Sequence, residues 1–161
     1  MRKAILTSLA MGAAILFGVQ AQAQQAPLTY GTPGVTLEQA KKAVDAAAAE
    51  AAKNGWLMAI AVVSNGGWLV HFSKMDNTQF ASVDIAIHKA KAAATFRRPT
   101  KAFADGLAAG NTFILTLDGV IAADGGLPII RDGKVIGAIG CSGATGAQDA
   151  QACTAGLNAI K

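Results

Sequence analysis

The sequence has only two histidines, His71 and His88, and two cysteines, Cys141 and Cys153. These four lie too far apart along the chain to give zinc a closed ligand set, so no metal centre is expected. The Gly143–Gly146 loop lacks the Lys-Ser/Thr of a phosphate-binding loop, which leaves nucleotide binding little support. Ser82, Asp84 and His88 follow one another on one predicted helix, and that order alone makes no hydrolytic triad. No internal repeat, heptad pattern or long linker is present. Charge is scarce too: the formal net charge is +4, and Arg2 and Lys3 supply half of it. Without them the surplus is too small to argue for a nucleic-acid partner.

What is present begins with an address. Arg2 and Lys3 precede an apolar run from Ala4 to Val19, and Ala21-Gln22-Ala23 forms an A-x-A cleavage site. Residues 1–23 read as a signal peptide, so the chain is expected in the periplasm or outside the cell. The run is too short to span a bilayer comfortably, and no other segment is long and apolar enough. No cysteine follows the cleavage site, which argues against a bacterial lipid anchor. Residues 24–35 read as a flexible lead-in, and residues 36–161 as one domain with length enough for a core.

Hydrophobic periodicity orders that domain. Thr36 and Gln39 form a capping box for a helix from Leu37 to about Asn54, with Leu37, Ala40, Val44, Ala47 and Ala51 on its buried face. Leu57–Ser64 and Trp68–Ser73 read as strands joined by Asn65-Gly66-Gly67. Strict alternation puts Trp68, Val70 and Phe72 on one face and Leu69, His71 and Ser73 on the other. Phe80–Phe96 reads as a helix with Val83, Ile87, Ala90 and Ala94 as its core stripe, and with Asp84 and His88 paired. Arg97-Arg98-Pro99 ends it. Thr100 is expected to cap a short helix from Lys101 to Ala109. Phe113–Leu117 and Val120–Ala122 look like short strands. Asp132-Gly133, between Leu127–Arg131 and Lys134–Ile139, is a strong hairpin signal. The small residues of the second of these strands invite close approach of another element. Gln148–Ile160 is the closing helix. The order implies an α/β domain of mixed (α+β) connectivity, an antiparallel sheet covered by helices. Cys141 and Cys153 form either a disulfide, which export permits, or two buried thiols.

Several stretches resemble a known family. They are Gly125-Gly126-Leu127-Pro128-Ile129 and Gly137-Ala138-Ile139-Gly140-Cys141-Ser142-Gly143. Gln148-Asp149, Cys153 and Ala155-Gly156-Leu157 match on the last helix. Lys89-Ala90, Phe96, Pro99 and Thr100 match in the middle, and Thr36-Leu37-Glu38-Gln39-Ala40 at the start. The chain is similar to the small haem-binding or haem-degrading proteins typified by GlcG and HbpS, and to the C-terminal domain of PduO-type adenosyltransferases. The resemblance implies a profilin-like fold with a five-stranded antiparallel sheet. It implies a homo-oligomer that binds haem or another tetrapyrrole, with slow haem degradation in some members. Three departures stand near the implied ligand surface. Ala92 stands where Thr is common, Met75-Asp76-Asn77-Thr78 replaces Met-Asp-Gly-Ala, and His71 takes an apolar position.

A haem site needs an apolar slot, an axial ligand and cations for the carboxylates. His88 and His71 are the candidate axial ligands, with Met75 as a soft second ligand. Lys89, Lys91, Arg97, Arg98 and Lys101 are candidate carboxylate partners. Trp68, Phe72, Phe80, Phe96 and Phe103 are candidate walls. Gly143, Thr145 and Gly146, before a helix, are a candidate anion loop. Surface histidines are more often solvated than ligating, aromatics are more often core, and loop glycines often serve the turn alone. Two functional readings follow. One is an exported haem-binding protein with weak haem-degrading activity. The other is a non-catalytic oligomeric module that holds a small acid or serves an extracytoplasmic sensor.

Overall fold

The computed structural model describes Gly31 and residues 33–161. The predicted signal peptide and most of the predicted lead-in lie outside the described residues. Val35, at the end of that lead-in, belongs to the domain: it is buried and its N–H donates to the Ile136 carbonyl.

Helix α1 (Leu37–Lys53) starts as the capping box requires, with Gln39 N–H on Thr36 Oγ1 and Thr36 N–H on Gln39 Oε1. Strands β1 (Ala59–Ser64) and β2 (Leu69–Lys74) follow, then α2 (Ala81–Phe96) and α3 (Lys101–Ala108). Strands β3 (Gly126–Arg131) and β4 (Lys134–Ser142) form the expected hairpin, and α4 (Gly146–Asn158) closes the chain. The sheet is antiparallel throughout, in the order β2-β1-β4-β3. Ile60 and Val62 of β1 face α1 and α4, whereas Ala59, Ala61 and Val63 face α2. Burial on both faces explains why β1 is apolar at almost every position.

The described residues form four strands, not five. Phe113–Leu117, read as strand-like, falls almost wholly in a 3-10 turn (Thr112–Thr116), and Val120–Ala122 is irregular. Ile114 packs so closely on Gly106 of α3 that a methyl group there would lie 2.6 Å from its Cδ1. This local packing wins over strand pairing. The alternation read for β2 also fails. A bulge at Val62/Val63 shifts the register, so Val70 joins the core under α1 while Phe72 faces α2. Thr100 does not cap α3. Its Oγ1 accepts from Gly126 N–H instead, while its own N–H donates to the Gly126 carbonyl, tying the α2–α3 corner to β3.

Helix α2 lies almost on the sheet backbone. Gly126 and Gly140 are directly opposed in the β3–β4 ladder, and a Cβ on either would overlap the α2 main chain. Such an approach tolerates only small side chains, so Ala86, Ala90, Ala93 and Ala94 form the buried face. Val83 and Ile87, read as core, are half-buried. On the other face, α4 crosses α1 at Gly156, where a Cβ would lie 2.6 Å from the Ala43 carbonyl oxygen.

Cys141 at the end of β4 and Cys153 on α4 form a disulfide, with Cα atoms 5.8 Å apart and both residues fully buried. It fastens α4 to the sheet. Replacing both cysteines with alanine is expected to cost about 2–4 kcal/mol, chiefly through the freed unfolded chain. Urea unfolding with and without reductant checks this: the wild type should lose a similar amount on reduction, and the variant nothing.

Candidate functional site

A wide cleft of about 750 Å³ opens between the C-terminal end of α2 and the β3–β4 hairpin. The sequence builds it from two chain reversals. Arg97 ends α2 in the left-handed region, at φ 56°, which turns the chain ahead of Pro99. Asp132 and Gly133, at φ 49° and 72°, turn the hairpin as the Asp-Gly signal requires. These reversals bring Phe96, Arg97 and Arg98 opposite Ile130, Lys134 and Val135. The cleft is open to solvent, and its lining mixes cations and polar groups with a smaller apolar patch.

The cleft is cationic, and no carboxylate lines it. Among the described residues, Arg97 and Lys134 have no hydrogen-bond or ion-pair partner on their side chains. Arg98 Nε donates to the Phe96 carbonyl, and its guanidinium lies 5.8 Å from the Phe103 ring centre. Phe96 and Phe103 meet edge to face at 5.2 Å, which fixes the wall behind the arginine. Ile130 is 60% exposed, an aliphatic side chain left open beside the cations. A second cleft of about 630 Å³ lies by the same strand and is lined mostly by aliphatic side chains such as Ile129, Ile136 and Leu157.

Of the residues singled out in the sequence, Arg97 and Arg98 line the cationic cleft. The other candidates lie elsewhere. His71 is paired with Val62, so it shares the α1 face of the sheet. His88 is on α2, on the opposite side, and its Nε2 is 3.2 Å from the Gly119 carbonyl oxygen. It makes no ion pair with Asp84. One chain therefore cannot place both imidazoles on one iron, and neither lines the cleft. The Met75 sulfur accepts from Met58 N–H at 3.5 Å within the core fringe. Asn77, at the family's usual glycine position, holds φ 61°, a conformation that asparagine tolerates. Lys101 is bound to Asp105 on its own helix at 2.6 Å, which raises its pKa. The aromatic residues do not gather: Phe80 and Trp68 are exposed, and Phe72 faces α2.

Lys89 is not a surface cation. It is 2% exposed, and its ammonium donates to Asp149 Oδ2 at 2.7 Å and to the Cys141 carbonyl at 3.0 Å. Asp149 Oδ1 accepts from Ala144 N–H at 3.0 Å. Burial pushes the Asp149 carboxyl above its ordinary value, against the opposing pull of Lys89 and of the loop N–H groups. The same carboxylate bears on the candidate anion loop of Gly143, Thr145 and Gly146, part of whose N–H groups it and Gln148 already occupy. Ala144 N–H is held by Asp149, and Thr145 N–H by Gln148 Oε1. This loop follows β4, whereas Arg97 and Arg98 sit where β4 begins. The nine-residue strand separates the loop from the arginines by roughly 25 Å.

Sequence reading missed Lys134, Ile130 and Val135 as lining residues. The Asp-Gly turn placed them on a hairpin, but nothing local says which helix end the hairpin meets. Among the described residues no group of three or more His, Cys, Asp and Glu side chains comes together, and no helix is long and apolar enough to cross a membrane.

Comparison with known proteins gives consistent matches. A family described as "Haem degrading protein HbpS-like" matches residues 35–158. Protein GlcG of Escherichia coli K12 is 40% identical over 105 residues, covering 65% of this chain and 78% of GlcG. The crystal structure of a Streptomyces reticuli HbpS double mutant superposes with a TM-score of 0.75 at 32% identity, covering 89% of this chain and 98% of that one. The crystal structure of a PduOC:haem complex shares the fold, with a TM-score of 0.74 at 23% identity over 80% of this chain and 96% of that one.

Proposed function

The chain belongs to the HbpS-like family of haem-degrading proteins, and from that premise we propose that it is an exported tetrapyrrole-binding protein. The observation that carries the reading is the open cleft beside Arg97, Arg98 and Lys134, a cationic surface free of carboxylates with an apolar patch at Phe96, Ile130 and Val135. A haem fits it in part. Arg97, Arg98 and Lys134 would hold its carboxylates, and Phe96, Ile130 and Val135 would lie against its ring. Neither His71 nor His88 lines the cleft, so a haem seated here would take no imidazole from the same chain. When bound, haem supplies redox chemistry; the residues of this chain hold and orient it. The haem degradation named in the family description is the finer part of the reading, tested as loss of Soret absorbance with reductant and dioxygen.

Export is supported by the A-x-A site at Ala21–Ala23 and by the Cys141–Cys153 disulfide, which belongs in an oxidising compartment. Homo-oligomerisation is supported by large exposed apolar side chains, Phe80 at 88% and Trp68 at 77%.

The test is a haemin titration of protein recovered from the periplasm, followed by absorbance and run on a sizing column. The expected result is an N-terminus at Gln24 and a saturable Soret shift that co-elutes with an oligomer. His71→Ala and His88→Ala should overlay the wild-type spectrum. A changed spectrum in either variant moves the iron out of this cleft. No shift at micromolar haemin removes the haem reading. It would favour the non-catalytic small-acid module, for which the same three cations are the supporting feature.

A further inference from the structure

We propose that this cleft holds a tetrapyrrole by its carboxylates and its ring faces, so that binding does not require a metal at the ring centre. The inference rests on the tetrapyrrole reading above and deepens it. Three observations carry it. First, the two cations without partners come from different elements, Arg97 from the end of α2 and Lys134 from the start of β4. Arg97 at a helix C-terminus has an ordinary role, since a cation there complements the exposed carbonyls. Lys134 has no such role, and the two converge on one cleft. Second, Phe96, Ile130 and Val135 give that cleft an apolar surface, and Ile130 is held 60% exposed beside the charges. Free inorganic anions gain nothing from such a surface, whereas a large apolar ring bearing carboxylates gains from both parts. Third, no imidazole, thioether or thiolate lines the cleft. These are the commonest protein donors to haem iron, so the lining favours binding through the carboxylates and the ring over binding through the metal.

The test uses metal-free protoporphyrin beside iron protoporphyrin, with the full domain and the disulfide intact. Binding of the metal-free ring is read as tryptophan quenching and porphyrin fluorescence anisotropy, and binding of the iron ring as quenching and Soret shift. Two variants are compared. Arg97→Asn with Lys134→Gln removes both free cations, and asparagine accepts the left-handed backbone at position 97. Arg97→Lys with Lys134→Arg keeps the charges.

The expected result is that both porphyrins bind with dissociation constants within about threefold of each other. The neutral pair should weaken both by roughly tenfold or more, the loss of charge-assisted contacts at a solvent-open site. The charge-keeping pair should restore most of that loss. If iron protoporphyrin binds and the metal-free ring does not, or if the neutral pair binds both unchanged, the inference is overturned and the haem reading stands. If neither porphyrin binds the wild type, the tetrapyrrole reading itself fails.

Discussion

Replacing Lys89 with methionine lowers the unfolding free energy by about 3–5 kcal/mol at neutral pH, the cost of breaking a buried ion pair from one side. Methionine keeps most of the apolar stem, so the loss is mainly electrostatic. Lys89 and Asp149 are each 3% exposed at their side chains and meet at 2.7 Å. Without the ammonium, the Asp149 carboxylate keeps only backbone N–H partners, and the Cys141 carbonyl loses its donor. The deficit depends on pH, and its sign follows from burial. Asp149 titrates above its unfolded value in the folded chain, mainly because burial disfavours the charge. Its stabilising contribution is therefore fully present below the unfolded value of about 3.9 and is lost as pH rises through the folded value. Lys89 opposes that shift, so removing it raises the folded value further and enlarges the loss. Urea unfolding at about pH 4 and pH 7 should show a small deficit for Lys89→Met in acid and a large one at neutrality. An equal deficit at both would mean that Asp149 is not the group left uncompensated. Asp149→Ala, which strands the ammonium instead, should cost about the same at neutral pH and should not recover in acid.

That ion pair marks the limit of what the sequence makes legible. The capping box at Thr36 and Gln39, the Asp132-Gly133 hairpin and the α2 stop at Arg97–Pro99 are encoded within a few residues, and each forms where it is read. Lys89 and Asp149 lie sixty residues apart, so Lys89 in a basic stretch reads as one more solvated cation. The bulge that parts Val70 from Phe72 is set by pairing with β1, not by local alternation. Phe113–Leu117 has the composition of a strand, yet Ile114 finds a home on Gly106 before any strand partner. The cleft was half visible. Arg97 and Arg98 stand out as cations after a helix, but Lys134 and Ile130 join them only through the register of the hairpin against α2.

Gly140→Ala is expected to cost about 3 kcal/mol or more, at or beyond the upper end for overpacking, although it adds a single methyl group. The new Cβ would overlap the Ala86 carbonyl oxygen and lie 2.5 Å from Ala90 N and 3.0 Å from Ala90 Cβ. The first two are main-chain atoms of α2, so no change of side-chain rotamer relieves the clash. Relief requires the helix to lift from the sheet, and its alanine face cannot stretch to fill the space that opens. Contacts with Ala61, Val63 and Ala138 weaken together, because dispersion falls off steeply with a gap of even half an ångström. Gly34→Ala is the matched comparison. Its Cβ would lie 3.5 Å from the Ile136 carbonyl oxygen, ordinary contact, with no positive φ. It should be neutral, or stabilising by about 0.4–1 kcal/mol through a less flexible unfolded chain. Urea midpoints for the two variants check the pair, and equal midpoints would mean that α2 is not seated on the glycine backbone. The helix that must lift is the one that ends at Arg97 and Arg98. Gly140→Ala should therefore also weaken porphyrin binding in the fraction that stays folded, although residue 140 does not line the cleft. Closely set glycines in β4 would then fix the position of the cations, which joins the least reactive residues of the chain to its recognition chemistry.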